Sequence, residues 1–221
     1  DWPGLVHDRV KVSHDVAPSL LQGHAGDVNP GAGDPWRGDA EQTATAVHTA
    51  ITEAMNNLQA VPVTTLRSQT TSHGVAFDMD LFATWLTRYR DEPAKCVSGE
   101  WVDAGFAQDW YEANVKRPTD QNHLSVVISA MQIGNVALAF HPSELYSYYG
   151  LAIQRSAPLS ETIVVGYTDG LIGYLTDPNA YLKGEYAAMT VPRILDYPPF
   201  SQTAAAQLTE AVVLLLKQTV R

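Results

Sequence analysis

Three short stretches of this chain carry residues whose types and spacing could do chemistry. The first is "QGHAGDVNPG", residues 22–31, where glycines surround His24, Asp27 and Asn29. As a plain turn, it would have Gly23, Gly26 and Gly31 at positive φ, Asp27 in an Asx-type turn and Pro30 stiffening the exit. As a site, the same glycines let backbone N–H groups approach a reacting carbonyl, with Asn29 exposed in the bend. It is not a dinucleotide fingerprint, because the G-x-G-x-x-G spacing is missing, nor a phosphate loop, because no Lys-Ser/Thr follows.

The second stretch, "AFHPSE", places His141 and Glu144 where a strand is expected to end and a helix to begin. Ligand-binding groups gather at such places in α/β sheets. Taken by position, a first-turn carboxylate that favours the helix N-terminus explains Glu144 more simply. The third, "GYTDGLIGYLTDPNAYLKGEY", holds Tyr167, Tyr174, Tyr181 and Tyr186. These could pack around turns, or one phenol could project into a cleft as a ligand or oxyanion donor; spacing does not choose. The remaining histidines, His7, His14, His48, His73 and His123, complete no His-Glu-x-x-His motif.

The elements that must hold these stretches alternate irregularly. Residues 3–14 read as a short helix and the apolar "APSLLQG" (17–23) as a buried strand. Residues 40–59 read as a long helix with Asp39 as N-cap. "VPVTTLRSQTTSHGVAF" is rich in Val and Thr and reads as extended. Two amphipathic helices joined by "PAKCVSGE" form an inserted helical hairpin over 78–117. "HLSVVISAMQIGNVALAFH" predicts two strands around Gly134-Asn135. A helix is expected from Pro142 with Ser143 as its cap, then a strand at "TIVVGYT" and a final helix over 201–218. The pattern predicts an α/β domain with a mixed sheet flanked by helices.

Composition narrows the partners. The 221 residues are 45% hydrophobic and 17% charged, enough to bury a sizeable core. A formal net charge of -10 argues against a nucleic-acid partner, which wants a basic stripe. Cys96, the single cysteine, excludes an internal disulfide framework and a Cys-rich zinc site. The longest apolar run, "AVVLLLK", is far shorter than a transmembrane segment.

Taken in order, these segments resemble the neutral/alkaline (non-lysosomal) ceramidases. "QGHAGDVNPG" resembles that family's Gly-Asp-Val-Ser-Pro loop, and "VALAFHPSELYSYYGLAI" is similar to its strand followed by a Pro-x-Glu helix start. "VVGYTDGLIGYLTDPNAYLKGEYAA" resembles its Gly-Tyr or Asn-x-Tyr segment with trailing tyrosines. "DWPG" at residues 1–4 also matches, and the 78–117 insertion is similar to that of the bacterial ceramidase-like branch. The ordered set spans nearly the whole chain.

The resemblance implies a zinc amidase that cleaves the N-acyl bond of a ceramide-like or other lipid amide, or of a small amide. Its metal would be held by two histidines, a glutamate and a tyrosine. Glu144 and Tyr174 match the last two, with Asn29 and Asp27 as the catalytic positions and His24, His141 and Tyr181 around them. Both family histidine ligands lie upstream of the region matching Asp1. Residues 1–221 therefore correspond to the C-terminal portion of the catalytic domain and carry half a metal site. The N-terminal portion is expected as the partner that completes it. Asn29 stands at the family's nucleophilic serine, so metal-activated water is expected rather than an acyl-enzyme, the alternative being a non-catalytic binding or structural protein. A secreted or periplasmic location is implied by the resemblance alone.

Overall fold

The computed structural model describes residues 1–30, 39–93 and 104–220. The chain opens with helices α1 (Trp2–His14) and α2 (Ala40–Met55), followed by strand β1 (Leu66–Ala76). Helices α3 (Met79–Asp91) and α4 (Ala104–Asn114) come next, then strands β2 (His123–Ile133), β3 (Val136–Phe140) and β4 (Glu144–Leu145). Helix α5 (Ser147–Ser156) separates these from β5 (Glu161–Val165) and β6 (Tyr174–Leu175). Short helices α6 (Pro178–Lys183), α7 (Tyr186–Met189) and α8 (Val191–Ile194) lead to the long α9 (Ala204–Thr219).

A four-stranded mixed sheet runs in the order β1-β2-β3-β5. The first three strands are antiparallel, while β3 and β5 are parallel and joined through α5, as a parallel pair requires. Gly134 at φ 59 supplies the positive φ that the tight β2–β3 hairpin demands. Alternate strand residues Val126, Ile128 and Ala130 face α9, whose Leu208, Val212, Leu215 and Leu216 complete the core. The helical hairpin falls between two hydrogen-bonded strand neighbours, β1 and β2, and has its own aromatic centre of Phe82, Trp85 and Trp110. The linker containing Cys96 lies outside the described residues.

Helices α1 and α2 form a separate parallel pair, with Arg9 against Glu41, Ser13 against His48 and His14 against Thr52, around a small core of Val6, Val10 and Ala44. Asp39 caps α2, accepting from the Glu41 amide at 2.8 Å, and Arg9 pairs with Glu41 across the two helices. No helix among the described residues is long and apolar enough to cross a membrane.

Two local expectations are corrected. Residues 17–23 form no strand: Leu20 and Leu21 are 58% and 56% exposed, and Gly166 N–H donating to the Gln22 carbonyl at 2.9 Å is the ladder-like bond there. An apolar run without a paired edge has nothing to bury it. Nor does the fifth helix begin at Pro142 with Ser143 as cap. Glu144 and Leu145 instead pair in parallel with Tyr174 and Leu175, and α5 starts at Ser147.

Candidate functional site

The glycine-rich loop docks on β4. Gly26 N–H donates to the Leu145 carbonyl at 3.0 Å, and Val28 N–H closes a turn on the Ala25 carbonyl at 3.1 Å. Neither Gly23 nor Gly26 takes positive φ, contrary to the turn reading, and Gly31 lies outside the described residues. Gly26 is needed for proximity instead, because a Cβ there would collide with the Glu144 carbonyl. Asp27 makes no local Asx turn of the expected kind. Its carboxylate accepts from Ser147 N at 2.6 Å and Ser147 Oγ at 3.0 Å, so a residue 120 positions upstream caps α5.

This docking puts Asp27 and Asn29 on the wall of a cavity of about 900 Å³ that they share with Glu144 and Tyr174. Tyr146, Tyr167, Tyr186 and Glu185 line it too, and Trp2 and Thr43 contribute from the α1–α2 pair. The β4–β6 register sets Glu144 directly beside Tyr174, so backbone pairing brings the carboxylate and the phenol together. Bonds from Glu144 N–H to the Gly173 carbonyl (2.8 Å) and from Ile172 N–H to the Pro142 carbonyl (3.1 Å) brace the two segments.

Burial pushes the Tyr167 and Tyr174 phenols well above their ordinary value, and hydrogen bonding and charge from the Glu144 carboxylate push the same way. Tyr186 is raised by burial and then by the Glu144 charge. Tyr146 is raised by burial and by Glu185, to which its hydroxyl donates at 3.1 Å. The cavity therefore presents neutral phenols around a carboxylate. Tyr167 reaches it from a strained backbone, with φ 58, where bulky residues seldom sit.

The other three predicted residues are not on this wall. His141 is fully buried at the end of β3, and His24 packs against Gly150 of α5. Tyr181, on α6, lines a separate groove with Asp78 and Met189; burial raises its phenol, opposed by a hydrogen bond with Thr176. Tyr167 and Tyr186 were visible as members of the tyrosine-rich segment, but nothing in the spacing marked them. Tyr146, Glu185 and Trp2 carried no signal at all, since the contacts that bring them here are long-range.

As metal donors, Glu144 and the Tyr174 phenol are hard oxygens that suit zinc in part, with Tyr167 within reach of the same carboxylate. Among the described residues no group of three or more His, Cys, Asp or Glu could hold a metal.

No protein-family model matches the chain, and no curated protein matches it significantly. Solved structures do. Neutral ceramidase from Pseudomonas aeruginosa matches with a TM-score of 0.58 and 16% identity over 99% of this chain and 40% of its own. A ceramidase complexed with C2 matches with a TM-score of 0.55 and 14% identity, covering 99% of this chain and 42% of its own. The chain thus spans about two fifths of these structures, and it has the fold of that part of a neutral ceramidase.

Proposed function

We propose that this chain is part of a ceramidase-like hydrolase that cleaves an N-acyl amide bond in a lipid-like substrate. The observation that carries this reading is convergence: three segments far apart in sequence bring Asn29, Glu144 and Tyr174 to one cavity. Glu144 and Tyr174 would hold a zinc ion, with the remaining ligands supplied by the N-terminal portion of the same domain. Bound there, zinc supplies Lewis-acid polarisation of the amide carbonyl and an acidified water.

The chain's own residues have distinct tasks. A carboxamide cannot attack as a serine alkoxide does, so Asn29 donates a hydrogen bond to the developing oxyanion. The Tyr167 phenol, kept neutral by burial, donates a hydrogen bond to the Glu144 carboxylate and so orients it. Asp27 holds the loop through Ser147 rather than exchanging protons. Trp2, Val28 and Tyr186 offer apolar surface to an acyl chain.

The test is amide hydrolysis of a fluorescent N-acyl sphingosine by the full gene product, with zinc content measured alongside. Glu144→Gln should reduce turnover to background and lower zinc occupancy, while Asn29→Ala should cost about 100-fold in kcat. Absence of bound zinc together with unchanged hydrolysis in Glu144→Gln overturns the reading. Asn29 in place of a nucleophile favours one other reading, a non-catalytic ceramidase-like binding protein. Tight zinc binding without any turnover would select it.

A further inference from the structure

Two histidines do not line the cavity: His24, in the loop of Asn29, and His141, at the end of β3. His141 is 0% exposed. Its Nδ1 accepts the Ser143 amide proton at 3.3 Å and lies 3.0 Å from Ser143 Oγ. A backbone N–H can only donate, so Nδ1 is bare and the neutral ring carries its proton on Nε2. That Nε2 is buried and has no partner among the described side chains and backbone, and the same holds for Nδ1 of His24. The two orphaned atoms are complementary, since one must donate and the other can accept.

The surrounding backbone fixes both rings. At Gly166, a Cβ would lie 3.5 Å from His141 Cε1 and 3.4 Å from the carbonyl oxygen of Gly23, next to His24. At Gly150 a Cβ would collide with the His24 ring itself. The His141 carbonyl accepts from Thr168 N at 3.1 Å and its amide donates to the Val165 carbonyl at 3.0 Å, so this residue cannot move without β5.

We propose that His141 and His24 form a neutral imidazole pair that positions the Asn29 loop, with Nε2–H of His141 donating through one buried water to Nδ1 of His24. A buried water commonly joins polar atoms of this kind. The pair tethers residues 22–29 while Gly26 and Asp27 hold them on β4 and α5. Burial lowers both imidazoles, and with the charge of His24 acting in the same direction His141 falls to about 4. Asp27, the other charged group acting on the pair, pulls His24 the opposite way. Ser143, Gly150 and Gly166, which contact the rings, carry no charge. A second proton would set two donors against each other.

Only the catalytic consequence rests on the proposed role of Asn29; the tether itself does not. Long-range 1H–15N spectra of the full chain labelled in histidine test it directly. They should show His141 with a bare Nδ1 and protonated Nε2 at neutral pH. A protonated Nδ1 on His141 overturns the proposal. Exchange of the Gly26 amide reports the tether: His24→Leu should speed it about tenfold, and His24→Asn, which keeps a polar atom near the place of Nδ1, should restore it. Equal exchange rates in the wild type and both variants also overturn it. His24 is only partly buried, so these variants leave the fold in place where His141→Phe would not. If hydrolysis is measured, His24→Leu should lower kcat at constant KM. Lack of hydrolysis in the wild type would overturn the proposed function and leave the spectra and exchange rates to judge the pair.

Discussion

The sheet body and the α1–α2 pair meet at one cavity but are held together very differently. The body buries a continuous core in which Ile128, Leu145, Leu208 and Leu216 are almost wholly enclosed. The helix pair buries only Val6, Val10 and Ala44, and adds polar contacts such as Arg9 to Glu41 and Arg9 Nη1 to Thr45 Oγ1 at 2.9 Å. Glu144 and Tyr174 stand on the body, whereas Trp2 and Thr43 stand on the pair. Glu144 and Tyr174, the proposed metal donors, are therefore mounted on the more extensively packed region, and the wall opposite belongs to a region expected to open at lower free energy.

The comparison can be pressed hardest at Leu208. Leu208→Ala, at a fully buried position of α9, should cost about 3–4 kcal/mol in urea unfolding and accelerate amide exchange throughout the sheet. A loss below about 1 kcal/mol would remove the contrast between the two cores. Acid comes next. The His141 imidazole has a lowered affinity for protons when folded, so its contribution is full above the ordinary histidine value and is lost as pH falls toward about 4. Unfolding at stepwise pH should show the body losing on the order of 2–3 kcal/mol over that window, with His141→Gln flattening the slope. The smallest effect belongs to Val10→Ala, which removes two methyl groups and should cost about 1.5 kcal/mol. Exchange should rise in α1 and α2 while β2 and β3 stay protected; equal loss in both would mean the two regions unfold as one.

How much of this was legible depended on sequence distance. Gly134-Asn135 marked its hairpin and Asp39 its helix because the physics there is local. The mixed sheet and the inserted helices followed from periodicity. The β4–β6 pair was not legible, because two-residue strands leave no periodic pattern and Glu144 reads locally as a helix start. The cap of α5 was hidden for the same reason, since Asp27 supplies it from 120 residues away. Leu20 and Leu21 misled in the other direction, as two apolar residues suggest burial that no neighbour provides. Within the site, residue types pointed to Glu144 and Tyr174 only through the family resemblance, and nothing marked Tyr167 and Tyr186 as wall residues because tyrosine spacing carries no direction.

The positive φ of Tyr167 has an evolutionary reading. A side chain held in that region costs about 1–2 kcal/mol relative to glycine, so random drift judged by folding alone would replace this tyrosine with Gly or Asn. An aromatic residue retained there across descendants would record selection for its phenol, whereas its replacement would mark lineages that no longer need one. At position 167 the backbone's preference for Gly or Asn is opposed to the phenol that lines the cavity.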